Sequence, residues 1–152
     1  MDSFVQIYGD MLFDLCESML STSTHAQAAF RLIVKKLHAE SKNQKYVNYE
    51  RPWVLRITCD RLLAIYPHEG RRVSPSEQIR LDANENVTTR LQHFGSYFHR
   101  LRPEDQLILL LRDKHAIPLS EVAIALAIPE GSLKIRRQLS LKHLEEWLWN
   151  AK

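Results

Sequence analysis

Glycine is scarce, with four residues in a chain of 152. There is no Gly-rich loop to cradle a phosphate and no GxSxG turn to present a nucleophile. No paired-carboxylate motif takes their place. The chain is therefore expected to have no catalytic residues, to need no cofactor and to take no small-molecule substrate. Cysteine is scarcer still: Cys16 and Cys59 are the only two, and neither belongs to a CxxC pair. Both sit inside apolar helical patterns and read as small buried hydrophobes of a reduced protein. Seven histidines are scattered and none falls in an HExxH pattern, so no metal site is expected. Long apolar runs are also missing, and none approaches the roughly 20 residues that span a bilayer. The opening MDSFVQIYGDMLFDLCESML carries Asp2, Asp10, Asp14 and Glu17, whereas a signal peptide starts basic and continues apolar. A cytoplasmic protein without membrane contact is the expectation.

What is present is helix periodicity. Hydrophobic residues make up 45% of the chain, enough for a core. Phe4, Ile7, Tyr8, Met11, Leu12, Leu15 and Met19 mark one face of a first helix, with Ser3 as its cap. Ser21–His25 is a polar break. Ala26–His38 reads as a second helix, and Glu40–Glu50 as a polar connection. Pro52 stands where a third helix should begin, since proline costs least in a first turn, and the pattern runs to Pro67. His68–Asn86 has few large apolar residues and reads as a linker. Val87–Arg100 and the segment from Pro103 give further helices, the latter with Glu104 and Asp105 in its first turn, as the helix dipole favours. The expected fold is all-α: two small helical domains, 1–67 and 87–152, joined by a linker over 68–86. The net charge is only +3, but from Val87 onward ten Lys and Arg meet seven Asp and Glu, so the excess lies in the second half.

That half contains SEVAIALAIPEGSLKIRRQLSLKHLEEWL, Ser120–Leu148. Ser120 is a candidate N-cap for a short helix on Val122, Ala123 and Leu126. Ala123, Ala125 and Ala127 are small enough to let a second helix cross closely. Pro129 cannot continue the first helix but can start the next, with Glu130 at its N-terminus. The second helix holds Lys134, Arg136, Arg137 and Lys142, with no acid between Glu130 and Glu145. Short helix, tight turn and basic helix form the helix-turn-helix pattern, whose second helix enters the DNA major groove. A solvated basic face on an ordinary helical hairpin has the same signature.

Leu110-Leu111-Arg112-Asp113, Glu121-Val122-Ala123 and Ile128-Pro129-Glu130-Gly131-Ser132-Leu133-Lys134 stand in register with a known pattern. Over Arg100–Leu148 the chain resembles the fourth conserved region of the extracytoplasmic-function sigma factors. Pro52-Trp53-Val54-Leu55-Arg56-Ile57 resembles, less closely, the second-region segment that opens the promoter nearest the start site. The resemblance implies an RNA polymerase subunit that binds promoter DNA. Its partners would be core RNA polymerase, promoter DNA and an anti-sigma protein. It implies DNA contact by Ser132, Lys134, Arg136, Arg137, Gln138 and Lys142, by Arg56, and by Arg71 and Arg72. It implies polymerase contact on the second helix, at His25, Gln27, Phe30, Arg31 and Ile33.

The chain departs from the pattern at three places. Thr24–Lys36 contains no Asp or Glu, where the family carries acids that dock on the polymerase clamp. Ala127 stands where glycine is usual. Ile135 and Leu139 occupy positions that are commonly polar or basic. They are either exposed, for contact with thymine methyls or a protein partner, or turned into the core. An alternative function follows: a sigma-like module that captures an anti-sigma protein without polymerase or promoter activity.

Overall fold

The computed structural model describes residues 3–42, 50–71 and 94–149. It is all-helical. The first helices are α1 (Ser3–Met19), α2 (Ser23–Ser41) and α3 (Glu50–Glu69). They are followed by α4 (Phe94–Phe98), α5 (Pro103–Leu109), a π-helical turn at Leu110–Lys114, α6 (Leu119–Leu126) and α7 (Glu130–Trp149). Among the described residues the one β-type pairing is an isolated bridge between Leu20 and Gly70.

The polar break before α2 is its cap. The Thr22 side chain accepts from the His25 N–H at 3.0 Å, so α2 begins three residues before the expected Ala26. The third helix runs through Pro67 to Glu69, past the expected boundary at 67. The chain stays anchored beyond it. Ser21 N–H donates to the Glu69 carbonyl at 2.8 Å, and Arg71 N–H to that of Met19 at 2.7 Å. Gly70 is required here, because a Cβ would overlap the Tyr66 ring. Arg72 and the rest of the expected linker, with the start of the Val87 helix, lie outside the described residues.

Helices of both halves contribute to one buried cluster. Leu12, Leu15, Ile33, Leu55 and Leu62 join Leu107, Ile108, Leu111, Val122 and Leu133 in it. The most extensive helix pairing is between α3 and α6. A smaller cluster of Tyr97, Leu101, Leu109, Leu144 and Leu148 ties α4 and α5 to the far end of α7. Cys16 and Cys59 are buried and unbridged, and burial raises both thiols to about 12, which keeps them protonated. No described helix is long and apolar enough to cross a membrane.

Candidate nucleic-acid interface

The hairpin of α6 and α7 is built by its backbone. Ser120 is not the cap of α6. The helix opens two residues earlier, on Pro118, whose carbonyl accepts from the Glu121 and Val122 N–H groups at 3.0 and 3.1 Å. Proline's fixed φ suits this position, and no side chain caps the helix. Ala127 ends α6 in the left-handed conformation, φ 55° and ψ 42°. Ile128 N–H then reaches back to the Ala123 carbonyl at 3.1 Å, closing a Schellman-type turn. Pro129 starts α7, its carbonyl accepting from Leu133 N–H at 3.0 Å.

Leu133, Ser140, Leu144 and Leu148 form the buried stripe of α7. That phase turns Ser132, Lys134, Gln138 and Lys142 to the surface. It settles the two open positions as well: Ile135 is 60% exposed and Leu139 51%, so neither is core. Lys134 and Lys142 have no carboxylate partner among the described residues.

The two arginines behave differently. Arg136 Nε donates to Asp105 Oδ1 at 2.9 Å, and Asp105 is only 6% exposed. Arg137 binds Asp113 with two donors, Nε at 2.9 Å and Nη2 at 2.6 Å. That hydrogen bond raises the Arg137 pKa above its ordinary value. The sequence has no acid near these arginines along α7, but the fold supplies two from α5 and the π turn. Half of the apparent basic run is therefore charge-compensated inside the protein, and the exposed cations of α7 are its lysines. The π turn itself was not expected. His115 N–H bonds the Leu110 carbonyl at 3.0 Å, one residue wider than an α-turn, and the turn carries Asp113.

In the first half, Arg56 is exposed. It pairs with Asp60 at 3.3 Å and its Nη1 lies 3.4 Å from the Ile124 carbonyl of α6. Arg71 holds the α1–α3 corner, its Nε donating to the Leu20 carbonyl at 2.8 Å. On α2, Gln27 and Arg31 are exposed, while His25 is half-buried with its Nδ1 3.1 Å from the Ser21 hydroxyl. Phe30 is half-buried, edge-on to Phe13 at 5.4 Å. Ile33 needs correction as a partner residue. It is fully buried, because it continues the inward stripe of Ala26, Ala29 and Leu37. Leu32, 50% exposed, is the outward aliphatic residue of that turn.

Several groups at the junction of the halves were missed. Arg51 makes a two-pronged bond to Glu121, both contacts at 2.6 Å. The pairing raises the Arg51 pKa and lowers that of Glu121. Asp14 accepts from Lys114 at 2.8 Å and lies 2.7 Å from His115 Nε2. Buried Gln106 donates to the Tyr66 hydroxyl and the Leu101 carbonyl, at 3.1 and 2.8 Å. Apart from the Gln106–Leu101 bond, no local spacing announces these pairs, since their partners lie 40 to 101 residues apart. Away from α7, a cleft of about 490 Å³ includes Glu17 and Arg71 in its lining, one acid against one base among the described residues. No model of a known protein family matches the sequence, and no curated protein matches it either.

Proposed function

We propose that this chain is an RNA polymerase sigma factor of the extracytoplasmic-function type, binding promoter DNA and directing transcription initiation. The observation that carries the reading is the exposed face of α7. It follows a tight left-handed turn and presents Ser132, Lys134, Gln138 and Lys142 together. Lysines neutralise phosphates, and Gln can pair with an adenine edge. Ile135 and Leu139 on the same face suit thymine methyls.

A second reading is a sigma-like module that binds an anti-sigma protein. The exposed Ile135 and Leu139 support it, because aliphatic residues on a rim of lysines also suit a protein partner. Binding of the full chain to a duplex and to core RNA polymerase separates the two. The sigma reading expects both partners to bind. It also expects Lys134→Ala with Lys142→Ala to weaken duplex binding at every sequence and to lower the salt slope by up to about two. An unchanged slope rejects the DNA face, and failure to retain core polymerase leaves the module.

A further inference from the structure

Where the Arg100–Arg102 segment meets α7, a cleft of about 350 Å³ is lined by Arg100, Arg102, Arg136, His143 and Trp147, with Asp105 as the one carboxylate among its described lining residues. Of the three guanidinium groups, those of Arg102 and Arg136 share one carboxylate, which leaves this small space positively charged. Asp105 holds two of the three in place. Its Oδ1 accepts from Arg136 Nε at 2.9 Å and its Oδ2 from Arg102 Nε at 3.0 Å. Each arginine is gripped through Nε, so its Nη groups are not used by Asp105. Arg136 Nη2 is buried and has no acceptor among the described residues, an unusual state for a charged donor. Arg102 keeps 70% of its side chain in solvent. Arg100 lies over the Trp147 ring, 4.6 Å from its centre, and His143 stacks against that ring at 5.6 Å. Trp147 thus braces two more polar side chains of the cleft.

We propose that this cleft is a seat for a phosphate group. Guanidinium forks match the oxygens of a phosphate better than an ammonium does. Arginines already fixed by Asp105 and Trp147 lose little freedom on binding. The phosphate has two chemical sources, a nucleic-acid backbone or a free phosphate compound. Leu139 belongs both to the cleft and to the exposed face of α7, so a strand running along α7 would pass the cleft. That first source rests on the DNA reading above; the seat itself does not.

The test uses the full chain. Inorganic phosphate and pyrophosphate are titrated while the arginine side-chain NMR signals and the tryptophan fluorescence are followed. A short duplex of arbitrary sequence is then titrated at several salt concentrations. Arg102→Gln and the double variant Arg100→Gln with Arg102→Gln are compared with the parent. The exposure of Arg102 makes its single variant safe for folding, and unfolding midpoints check both. The expected result is a saturable pyrophosphate response at Arg102, Arg136 and Trp147, weakened in the single variant and abolished in the double. Duplex binding should weaken with it, its salt slope falling by up to about two. Loss of pyrophosphate binding with an unchanged duplex slope supports the seat and assigns it to a free phosphate compound. A parent that binds pyrophosphate but no duplex also supports the seat, and defeats the DNA reading alone. Absence of any saturable ion response, with the duplex slope unchanged in both variants, overturns the proposal. The DNA reading survives that outcome if the Lys134 and Lys142 substitutions still lower the slope.

Discussion

Ala127 is a residue whose backbone works against its side chain. At φ 55° its Cβ crowds the adjoining carbonyl, a strain on the order of 1 kcal/mol that glycine escapes. The family resemblance marked this position, because glycine is usual there, and the structure supplies the left-handed conformation itself. Ala127→Gly is expected to stabilise the protein by up to about 0.5 kcal/mol, because glycine's greater unfolded freedom offsets much of the relieved strain. Urea unfolding of the two chains measures it, and a less stable glycine variant contradicts the strain argument. Ala116 has the same sign of φ, 54°, but no comparable pattern in the sequence pointed to it. Ile33 shows the opposite kind of error at this scale. Its place on the apolar side of α2 follows from periodicity, and that same placement buries it, so the aliphatic residue this turn offers a partner is the exposed Leu32.

At the scale of the helix, periodicity was a good guide. The buried stripe of α7 and the outward Lys134, Gln138 and Lys142 follow from 3.6-residue spacing, while the outward Ile135 and Leu139, which spacing left open, are settled by the structure. Charge was a poorer guide, because it was counted along one helix. Asp105 and Asp113 reach Arg136 and Arg137 from 31 and 24 residues away, and no window centred on α7 contains them. The helix α2 poses the same question toward an outside partner. Its exposed residues include Gln27, Arg31, Lys35 and Lys36 and no acid, apart from half-buried Glu40 near its end. A clamp surface suited to acids gains nothing from that face, and like charges brought together can cost several kcal/mol. On the proposed sigma-factor reading, replacing Gln27, Arg31 and Lys35 with Glu should strengthen association with a polymerase of ordinary clamp charge. These side chains are exposed, so the fold should tolerate the change. Affinities for core polymerase before and after the substitution, at two salt concentrations, provide the check. Tight, salt-insensitive binding by the parent chain would sink the argument.

For the whole molecule, fold class was legible and the packing of its parts was not. Separate apolar stripes told of helices on both sides of a polar stretch. They could not tell that α3 and α6 meet, since neither stripe names its partner. The Arg51–Glu121 pair spans 70 residues and the Asp14 contacts with Lys114 and His115 span 100 and 101. These ties set the acid sensitivity of the assembled fold. The Arg51 hydrogen bond holds the Glu121 pKa below its ordinary 4.5, against a smaller opposing effect of burial. For Asp14, burial raises the pKa, but hydrogen bonds from Lys114 and His115 outweigh it, and the result lies below the ordinary 3.8. A carboxylate with a lowered folded pKa contributes stability that is present above its unfolded pKa and lost as pH falls through the folded value. Unfolding free energy should therefore hold at neutral pH and decline from roughly pH 4.5 downward. Glu121→Gln should cost about 1 kcal/mol at neutral pH, because both charged residues remain partly exposed. Near pH 3 the parent loses most of the same contribution by protonation, so the gap between the two chains should narrow. Urea unfolding of both chains at the two pH values measures that gap. An equal gap at both would show that the Arg51–Glu121 charge pair does not supply the stability assigned to it.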